Sequence, residues 1–233
     1  NFDVVLAHYA GNGDRLWIVQ FGTSAPEDGR SLSPDGAGGV FVGGYTDGDL
    51  GGPNGGGSEG YVAHFDSKGF PTWVKQFHNP GSVDALASDG QGGVYAGGGG
   101  FGDALLIHFD ANGLDTWTRQ FGSLEPDAIS ALTPDGLGGV FAAGGTQGDL
   151  GGPGAGGDDI FIVRYDSDGF PAWVKQFGRE QFPEEASFAT QLVQCVLIAS
   201  LAGRRRLAAR SRFWRTRPSR PCFSASTTAT CTA

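Results

Sequence analysis

Residues 103–146 read DALLIHFDANGLDTWTRQFGSLEPDAISALTPDGLGGVFAAGGT and contain four short apolar runs separated by turns rich in glycine and aspartate. The same pattern runs from residue 3 to 46 and, in shorter form, from 59 to 98. It starts again at 159 and stops near residue 189. Short apolar runs bounded by Gly and Asp are typical of β-strands joined by tight turns. The repeated pattern therefore predicts an all-β chain built from copies of one unit.

Four tryptophans set the period of the repeat. They are spaced by 56, 44 and 56 residues and open the strings WIVQF, WVKQF, WTRQF and WVKQF at Trp17, Trp73, Trp117 and Trp173. A period of about 40–45 residues fits one four-stranded blade of a β-propeller. The longer repeats carry 12-residue inserts at 47–58 and 147–158. We predict that these inserts are surface loops that join one blade to the next.

Each unit divides into four candidate strands. In the copy at 103–146, they are LLIHF, the Trp string, AISALTPDG and GGVFAAGGT. The fourth strand is rich in small residues, which suit a crowded position, so we predict that it lies nearest the propeller axis. The predicted blades cover residues 3–58, 59–102 and 103–158, with an incomplete blade at 159–189.

The unit resembles the bacterial SBBP-type β-propeller repeat, whose pattern is D-A-F-(V/L)-A-(K/R)-(Y/F)-D, then W, F-G and DG-x-GG-V-(Y/F)-x-(A/G)-G-x-T. In residues 103–146 it stands as DALLIHFDANGLDTWTRQFG followed by DGLGGVFAAGGT. The resemblance covers residues 1–189. It implies a propeller in a secreted or cell-surface bacterial protein, and it brings no shared catalytic residues.

The fold class that follows is all-β: a partial β-propeller of about three and a half four-stranded antiparallel blades, followed by an irregular or disordered C-terminal tail. A closed propeller has at least about four blades. We therefore expect the chain to be a fragment whose open blade edges favour self-association.

Composition changes abruptly after residue 178. Residues 1–178 carry seven Lys/Arg and 22 Asp/Glu, a charge of −15, whereas 179–233 carry nine Arg and three Glu, a charge of +6; together they give the net charge of −9. The Arg-rich tail at 190–233 stands where the repeat requires a DG-x-GGV strand. A frameshifted reading of the gene explains the change, because Gly, Val and Ala codons of GC-rich DNA read as Arg, Ala, Ser and Pro in another frame. A sorting or anchoring tail is the alternative, since the apolar run 196–203 precedes three arginines.

The acidic body argues against nucleic-acid binding, which uses Lys and Arg to replace counterions of the phosphates. No apolar run approaches the ~18 residues of a membrane span, and the first residues show no signal peptide.

Three histidines, His8, His64 and His108, occupy one repeat position, and Arg164 takes that position in the fourth copy. Imidazoles gathered around an axis would suit a metal ion. Equivalent positions on separate blades lie far apart, however. We therefore expect structural or surface roles and predict no metal site.

Aspartates in the turns suggest calcium, because closely spaced carboxylates are the hard oxygen ligands that Ca²⁺ prefers. They are Asp66, Asp110, Asp166 and Asp168, together with the loop 152–159. No copy gives D-x-[DN]-x-[DN]-G with a downstream Glu. Turn chemistry therefore accounts for them, and we predict no cofactor, with calcium as the alternative.

Catalytic motifs find no support in the sequence. There is no G-x-S-x-G, and Cys195, Cys222 and Cys231 all lie in the tail. The glycine runs at 51–57 and 97–100 lack the Lys-Ser/Thr of a phosphate loop. We predict no catalytic or cofactor-binding residue and do not expect an enzyme.

The function expected from these features is a non-catalytic structural or interaction module, with loops 47–58 and 147–158 binding a protein or glycan ligand. The alternatives are a calcium- or carbohydrate-binding lectin-like propeller and a propeller hydrolase.

The nucleotide sequence of codons 178–233 tests the origin of the tail. We expect another reading frame to continue the DG-x-GGV pattern. If no frame restores it, the interpretation of the chain as a fragment must be reconsidered.

Overall fold

The computed structural model describes residues 2–77, 81–99, 102–154 and 156–178, and all of their regular structure is β. It contains no helix long and apolar enough to span a membrane in these ranges. The strands are β1 (Val4–Tyr9), β2 (Arg15–Phe21), β3 (Glu27–Pro34), β4 (Val40–Thr46), β5 (Glu59–Phe65), β6 (Pro71–Phe77), β7 (Ala85–Ser88), β8 (Val94–Gly99), β9 (Ala104–Phe109), β10 (Asp115–Phe121), β11 (Asp127–Pro134), β12 (Val140–Thr146), β13 (Asp159–Tyr165) and β14 (Pro171–Phe177).

These strands form one two-stranded hairpin and three four-stranded sheets. The first hairpin is β1–β2, the first sheet β3–β6, the second sheet β7–β10 and the last sheet β11–β14, each antiparallel and in chain order. The predicted fold of about three and a half four-stranded antiparallel blades is therefore confirmed as a partial propeller. The predicted irregular tail at 190–233 lies outside the described residues.

The sheets and the sequence repeats are half a repeat out of phase. Each sheet joins the third and fourth strands of one repeat to the first and second strands of the next. Residues 103–146 thus supply β9 and β10 to the second sheet and β11 and β12 to the last. The predicted blade bounds 3–58, 59–102 and 103–158 are corrected accordingly, and the described strands of 159–189, β13 and β14, complete the last sheet.

The inserts 47–58 and 147–158 each connect two neighbouring strands of the same sheet. The prediction that they join one blade to the next is therefore wrong. Residues 147–158 connect β12 to β13, which pair in unbroken register from Val140↔Tyr165 to Thr146↔Asp159. The short connections after β2, β6 and β10 lead from one sheet to the next. Both kinds of connection are compatible with the repeat, so the pattern alone does not set the sheet boundary.

The glycine-rich strands β4, β8 and β12 are second in their sheets, and the prediction that they lie nearest the axis is wrong. The edge strands β3, β7 and β11 contact one another between successive sheets, β3 with β7 and β7 with β11, and β8 also contacts β11. A Cβ at Gly97 would lie 2.8 Å from Ile129 of the next sheet, and a Cβ at Gly144 would clash with the Ala128 carbonyl across a β-bulge. The small residues thus allow close approach from a neighbouring strand.

Three apolar cores lie between successive layers. Val4 and Leu6 of the first hairpin pack with Tyr61 and Phe65 of the first sheet. Phe41 and Val62 face Leu105 and Ile107 of the second sheet, whose opposite side packs on Ile129, Phe161 and Val163 of the last sheet. The first and second sheets therefore bury their two faces against different neighbours, as stacked repeat units do.

The two ends of the strands form two different rims. Antiparallel pairing places the beginnings of β3 and β5 beside the ends of β4 and β6, as in the register Glu27↔Thr46↔Glu59. The loop rim comprises the described residues of the connections after β2, β4, β6, β8, β10 and β12. The turn rim comprises the tight turns at 10–14, 35–39, 66–70, 89–93, 110–114, 135–139 and 166–170.

Substitution of Gly144 tests the close approach at the bulge. Gly144→Ala should lower the free energy of unfolding by about 2–3 kcal/mol, because the backbone of β11 must move to admit the methyl group. Chemical denaturation measures the change. Gly152→Ala is the matched control, since a Cβ there meets nothing within 4 Å. Equal stability of the two variants would contradict the close approach.

Candidate functional site

One contact is repeated between successive layers: a tryptophan of one outer strand lies on the turn of the next layer. The indole N–H groups of Trp17, Trp73 and Trp117 donate to the carbonyl oxygens of Ser67, Ala111 and Ser167 at 3.0, 3.2 and 3.1 Å. Each turn offers a flat surface because its fourth residue is glycine.

That glycine is required for two reasons. Gly69, Gly113 and Gly169 have φ values of +83°, +74° and +75°, which side chains disfavour. A Cβ on these residues would lie 2.9, 2.6 and 2.6 Å from the facing indole ring. The tryptophan and the D-x-x-G turn are thus two halves of one contact.

Among the described residues, one further tryptophan and one further turn glycine do not form this contact. Trp173 at the last sheet is 41% exposed. Gly13, in the turn of the first hairpin, has φ +89°, and a Cβ there would meet nothing within 4 Å. The partial propeller therefore ends in two complementary surfaces.

The histidines considered as metal ligands lie in different layers and are not brought together. His64 and His108 each contact an aspartate of their own sheet, Asp35 and Asp89, with Nε2–Oδ2 distances of 3.0 Å. Their Nδ1 atoms contact threonine hydroxyls at 2.6 and 2.7 Å. The Nδ1 atom of His8 is buried without a partner, because Leu16 stands where the two other copies with histidine have Thr72 and Thr116. These contacts are structural.

Arg164 replaces histidine in the last sheet and keeps the same partner. Its Nε and Nη2 atoms donate to Asp135 at 3.0 and 2.7 Å. The other oxygen of Asp135 accepts the N–H groups of Leu137 and Gly139. Burial raises the pKa of Asp135, but the hydrogen bonds from Leu137, Arg164 and Gly139 outweigh burial and hold that pKa below its ordinary value.

Asp35 shows the same balance in the first sheet. Burial raises its pKa, whereas hydrogen bonds from the Ala37 N–H, His64 and the Gly39 N–H lower it, with a net decrease. These aspartates hold a turn with one oxygen and a cationic or imidazole side chain with the other.

The aspartates considered as calcium ligands also hold turns. Asp66 accepts the N–H groups of Lys68 and Phe70, Asp110 those of Asn112 and Leu114, and Asp166 those of Asp168 and Phe170. Bonds led by those from Phe70 and Leu114 lower the pKa values of Asp66 and Asp110. Within the described ranges, no group of three or more His, Cys, Asp or Glu side chains is placed to hold a metal ion.

The loop rim contains polar contacts that the sequence analysis missed. A glutamine of each Trp string donates to an acidic residue 17 positions earlier: Gln20 to Asp3, Gln76 to Glu59, Gln120 to Asp103 and Gln176 to Asp159, at 2.7–2.8 Å. The constant spacing of these residues in all four copies is a signal from which the pairing could have been found.

Two of these glutamines also fix the long loops. Gln76 Oε1 accepts the N–H groups of Leu50 and Gly51, and its amide donates to the Gly48 carbonyl. Gln176 makes the same three contacts with Leu150, Gly151 and Gly148. Loops 47–58 and 147–158 therefore have identical bases.

A cavity of about 240 Å³ lies between the first hairpin and the first sheet, lined by Leu6, His8, Trp17, Leu32 and Val40 among others. It opens beside β1, whose free edge corresponds to the edge at which β5, β9 and β13 pair with a glycine-rich strand. In each four-stranded sheet, two further strands lie beyond the corresponding edge.

Comparisons with known proteins identify no family for the chain. No protein-family model and no curated protein match its sequence. Among solved structures, it is similar to a protein of unknown function from Bacteroides caccae, with TM-score 0.45, 8% identity and 75% of this chain covered. It is also similar to a eukaryotic initiation factor, with TM-score 0.42, 13% identity and 76% covered. The chain spans 58% and 43% of the lengths of these two proteins.

The ion pair of the last sheet predicts a dependence of stability on pH. The pKa of Asp135 is lower in the folded state than in the unfolded chain. Ionised Asp135 therefore contributes fully to the free energy of unfolding above the unfolded-state pKa near 4, and this contribution is lost as pH falls toward the folded-state pKa. Asp135→Asn should cost about 2–3 kcal/mol at pH 7, and the difference from the unsubstituted chain should narrow between pH 5 and pH 3. Thermal melts across that range measure it. Glu125→Gln, at an exposed position, should change stability little, and a constant Asp135→Asn deficit at all pH values would contradict the account.

Proposed function

We propose that the chain is a non-catalytic structural or interaction module, a propeller scaffold of the SBBP repeat type from a secreted or cell-surface bacterial protein. Its loop rim presents a protein- or glycan-binding surface. The observation that carries the proposal is that loops 47–58 and 147–158 share one rigid base and differ at their tips.

The tips differ in both residues and contacts. Asn54 donates through its side chain to the Gly57 carbonyl at 3.0 Å and accepts the Gly56 N–H at 2.6 Å, and Ser58 donates to Asp47 at 2.6 Å. In the other loop, Gly154 stands at the position of Asn54, has no side chain to make these bonds and donates its N–H to Asp149 Oδ1 at 2.6 Å. Variable tips on a constant base are the usual arrangement of recognition loops on a rigid scaffold.

The charge of the loop rim limits the kind of ligand. Its exposed carboxylates are Asp47, Asp49, Glu125, Asp149 and Asp158, and Asp28 lies beside it near the start of β3. Such a surface repels phosphate groups and attracts basic ones. A basic protein segment or a neutral glycan therefore fits the rim, and a nucleic acid does not.

The carboxylates that hold turns support the non-catalytic part of the proposal. A hydrolase needs carboxylates free to exchange protons or attack a substrate. Asp35, Asp89 and Asp135 instead have both oxygens engaged in bonds within their own sheets. A calcium-dependent lectin would require oxygen ligands that converge, and the turn aspartates are spread over separate turns.

Binding of the full chain to a glycan array and to an array of basic peptides tests the proposal. We expect binding to one array that falls at least tenfold when residues 51–57 and 151–157 are both replaced by Gly-Ser segments of equal length. Leu137→Ser on the turn rim is the matched control and should bind as before.

Three outcomes would contradict the proposal. They are no binding to either array, binding that survives replacement of both loops, and hydrolysis of a glycoside or ester panel. A melting temperature that rises in calcium chloride relative to EGTA would favour the lectin-like alternative.

A further inference from the structure

The two ends of the partial propeller expose apolar faces that are buried at every internal position. On the last sheet, Trp173 is 41% exposed, and Phe141 and Ile162 are partly exposed. The equivalent residues of the first and second sheets, Phe41, Val62, Tyr95 and Leu106, are buried by the next layer.

The first hairpin exposes the face that points away from the first sheet. Val5, Tyr9 and Ile18 are 60%, 56% and 52% exposed on its outer side. Tyr61 and Phe65, which hold the positions of Val5 and Tyr9 in the first sheet, are fully buried by the preceding layer. Each end thus presents one half of the contact that joins the layers.

We propose that a second copy of this chain docks head to tail, with the outer face of its first hairpin on the open face of the last sheet. Trp173 then lies on the Gly13 turn, with its indole N–H directed to the Gly11 carbonyl. This arrangement repeats the three internal contacts of Trp17, Trp73 and Trp117.

Charge at the two faces supports this occupant. Arg119, two residues after Trp117, donates to the Gly169 carbonyl at 2.6 Å and lies 5.7 Å from the ring centre of Phe170. The equivalent of Arg119 on the open face is Lys175, and the equivalent of Phe170 in the first hairpin is Asp14. The head-to-tail contact therefore pairs Lys175 with a carboxylate.

Symmetric pairing lacks this complementarity. Two open faces of the last sheet would place Lys175 of both copies in one interface that contains neither copy's Asp14, and like charges repel. Two first hairpins would place one Gly13 turn against another with no tryptophan between them. A head-to-tail contact is heterologous, so it produces rings or open chains of copies.

The docking faces are separate from the loop rim, so this inference does not depend on the proposed function. The loops can be replaced without changing Trp173 or Ile18, and Trp173 and Ile18 can be substituted without changing the loops. Failure of one proposal is therefore distinguishable from failure of the other.

Mixing two blocked variants of the full chain tests the orientation. Trp173→Asp blocks the last sheet and leaves the first hairpin intact, whereas Ile18→Asp blocks the hairpin and leaves the last sheet intact. Each variant alone should be monomeric in sedimentation velocity, and their equimolar mixture should form a 1:1 dimer. Reducing buffer prevents disulfides of Cys195, Cys222 and Cys231.

The unsubstituted chain should form larger species as its concentration rises, and each variant should weaken this association at least tenfold. Leu137→Asp, at a position 81% exposed on the turn rim, is the matched control and should associate as the unsubstituted chain does. Gly13→Asn provides a second hairpin variant, because asparagine tolerates positive φ.

Four results would overturn the inference. They are an unsubstituted chain that stays monomeric, a single blocked variant that still dimerises, a mixture of the two blocked variants that does not dimerise, and a Leu137→Asp control that associates as weakly as the blocked variants. Circular dichroism establishes that each variant is folded before it is compared. If Ile18→Asp does not fold, Gly13→Asn takes its place in the mixture.

Discussion

The packing of an indole ring on a turn glycine is the contact on which the layered structure depends. Trp17, Trp73 and Trp117 each cover the turn of the next layer and donate one hydrogen bond to its backbone. A buried aromatic ring contributes a large apolar area, and its N–H fixes the ring against one carbonyl. Because the acceptor turn always belongs to the following layer, the contact has a direction. In the part of the chain that the structure describes, a tryptophan at one end and a turn at the other do not take part in it.

The acidic side chains of the sheets serve mainly to hold the backbone. Asp135 joins a turn to Arg164, and Asp66 closes the hairpin turn after β5. These bonds satisfy N–H groups that tight turns would otherwise leave without partners. The acidic character of the chain is thus partly structural. Several carboxylates that face solvent, among them Asp47, Asp49 and Asp149, lie in the long loops of the loop rim.

Replacement of histidine by arginine shows how the repeat tolerates change. His64 bridges Asp35 and Thr72, whereas Arg164 donates two bonds to Asp135 and its neighbouring strand carries Ala172. Ala172 has no hydroxyl group, so Arg164 lacks the threonine contact that His64 makes. In the first hairpin, Leu16 takes the threonine position, and the Nδ1 atom of His8 is left buried and unpartnered. The site is one of packing and hydrogen bonding, which accounts for the spread of residues found there.

The sequence by itself determined the strands, the turns and the number of units, because period-2 apolar runs, Asp-Gly turns and the tryptophan spacing are local signals that recur in each copy. It also indicated that the histidines lie on separate units. Only the tertiary structure decided where one sheet ends and the next begins, since a connection such as 147–158 or 122–126 can join strands of one sheet or of two. The position of the glycine-rich strands was decided in the same way, because the Ile129 side chain that approaches Gly97 comes from another sheet. The exposure of Trp173 beside three covered tryptophans likewise depends on which layer follows it, and no local pattern contains that information.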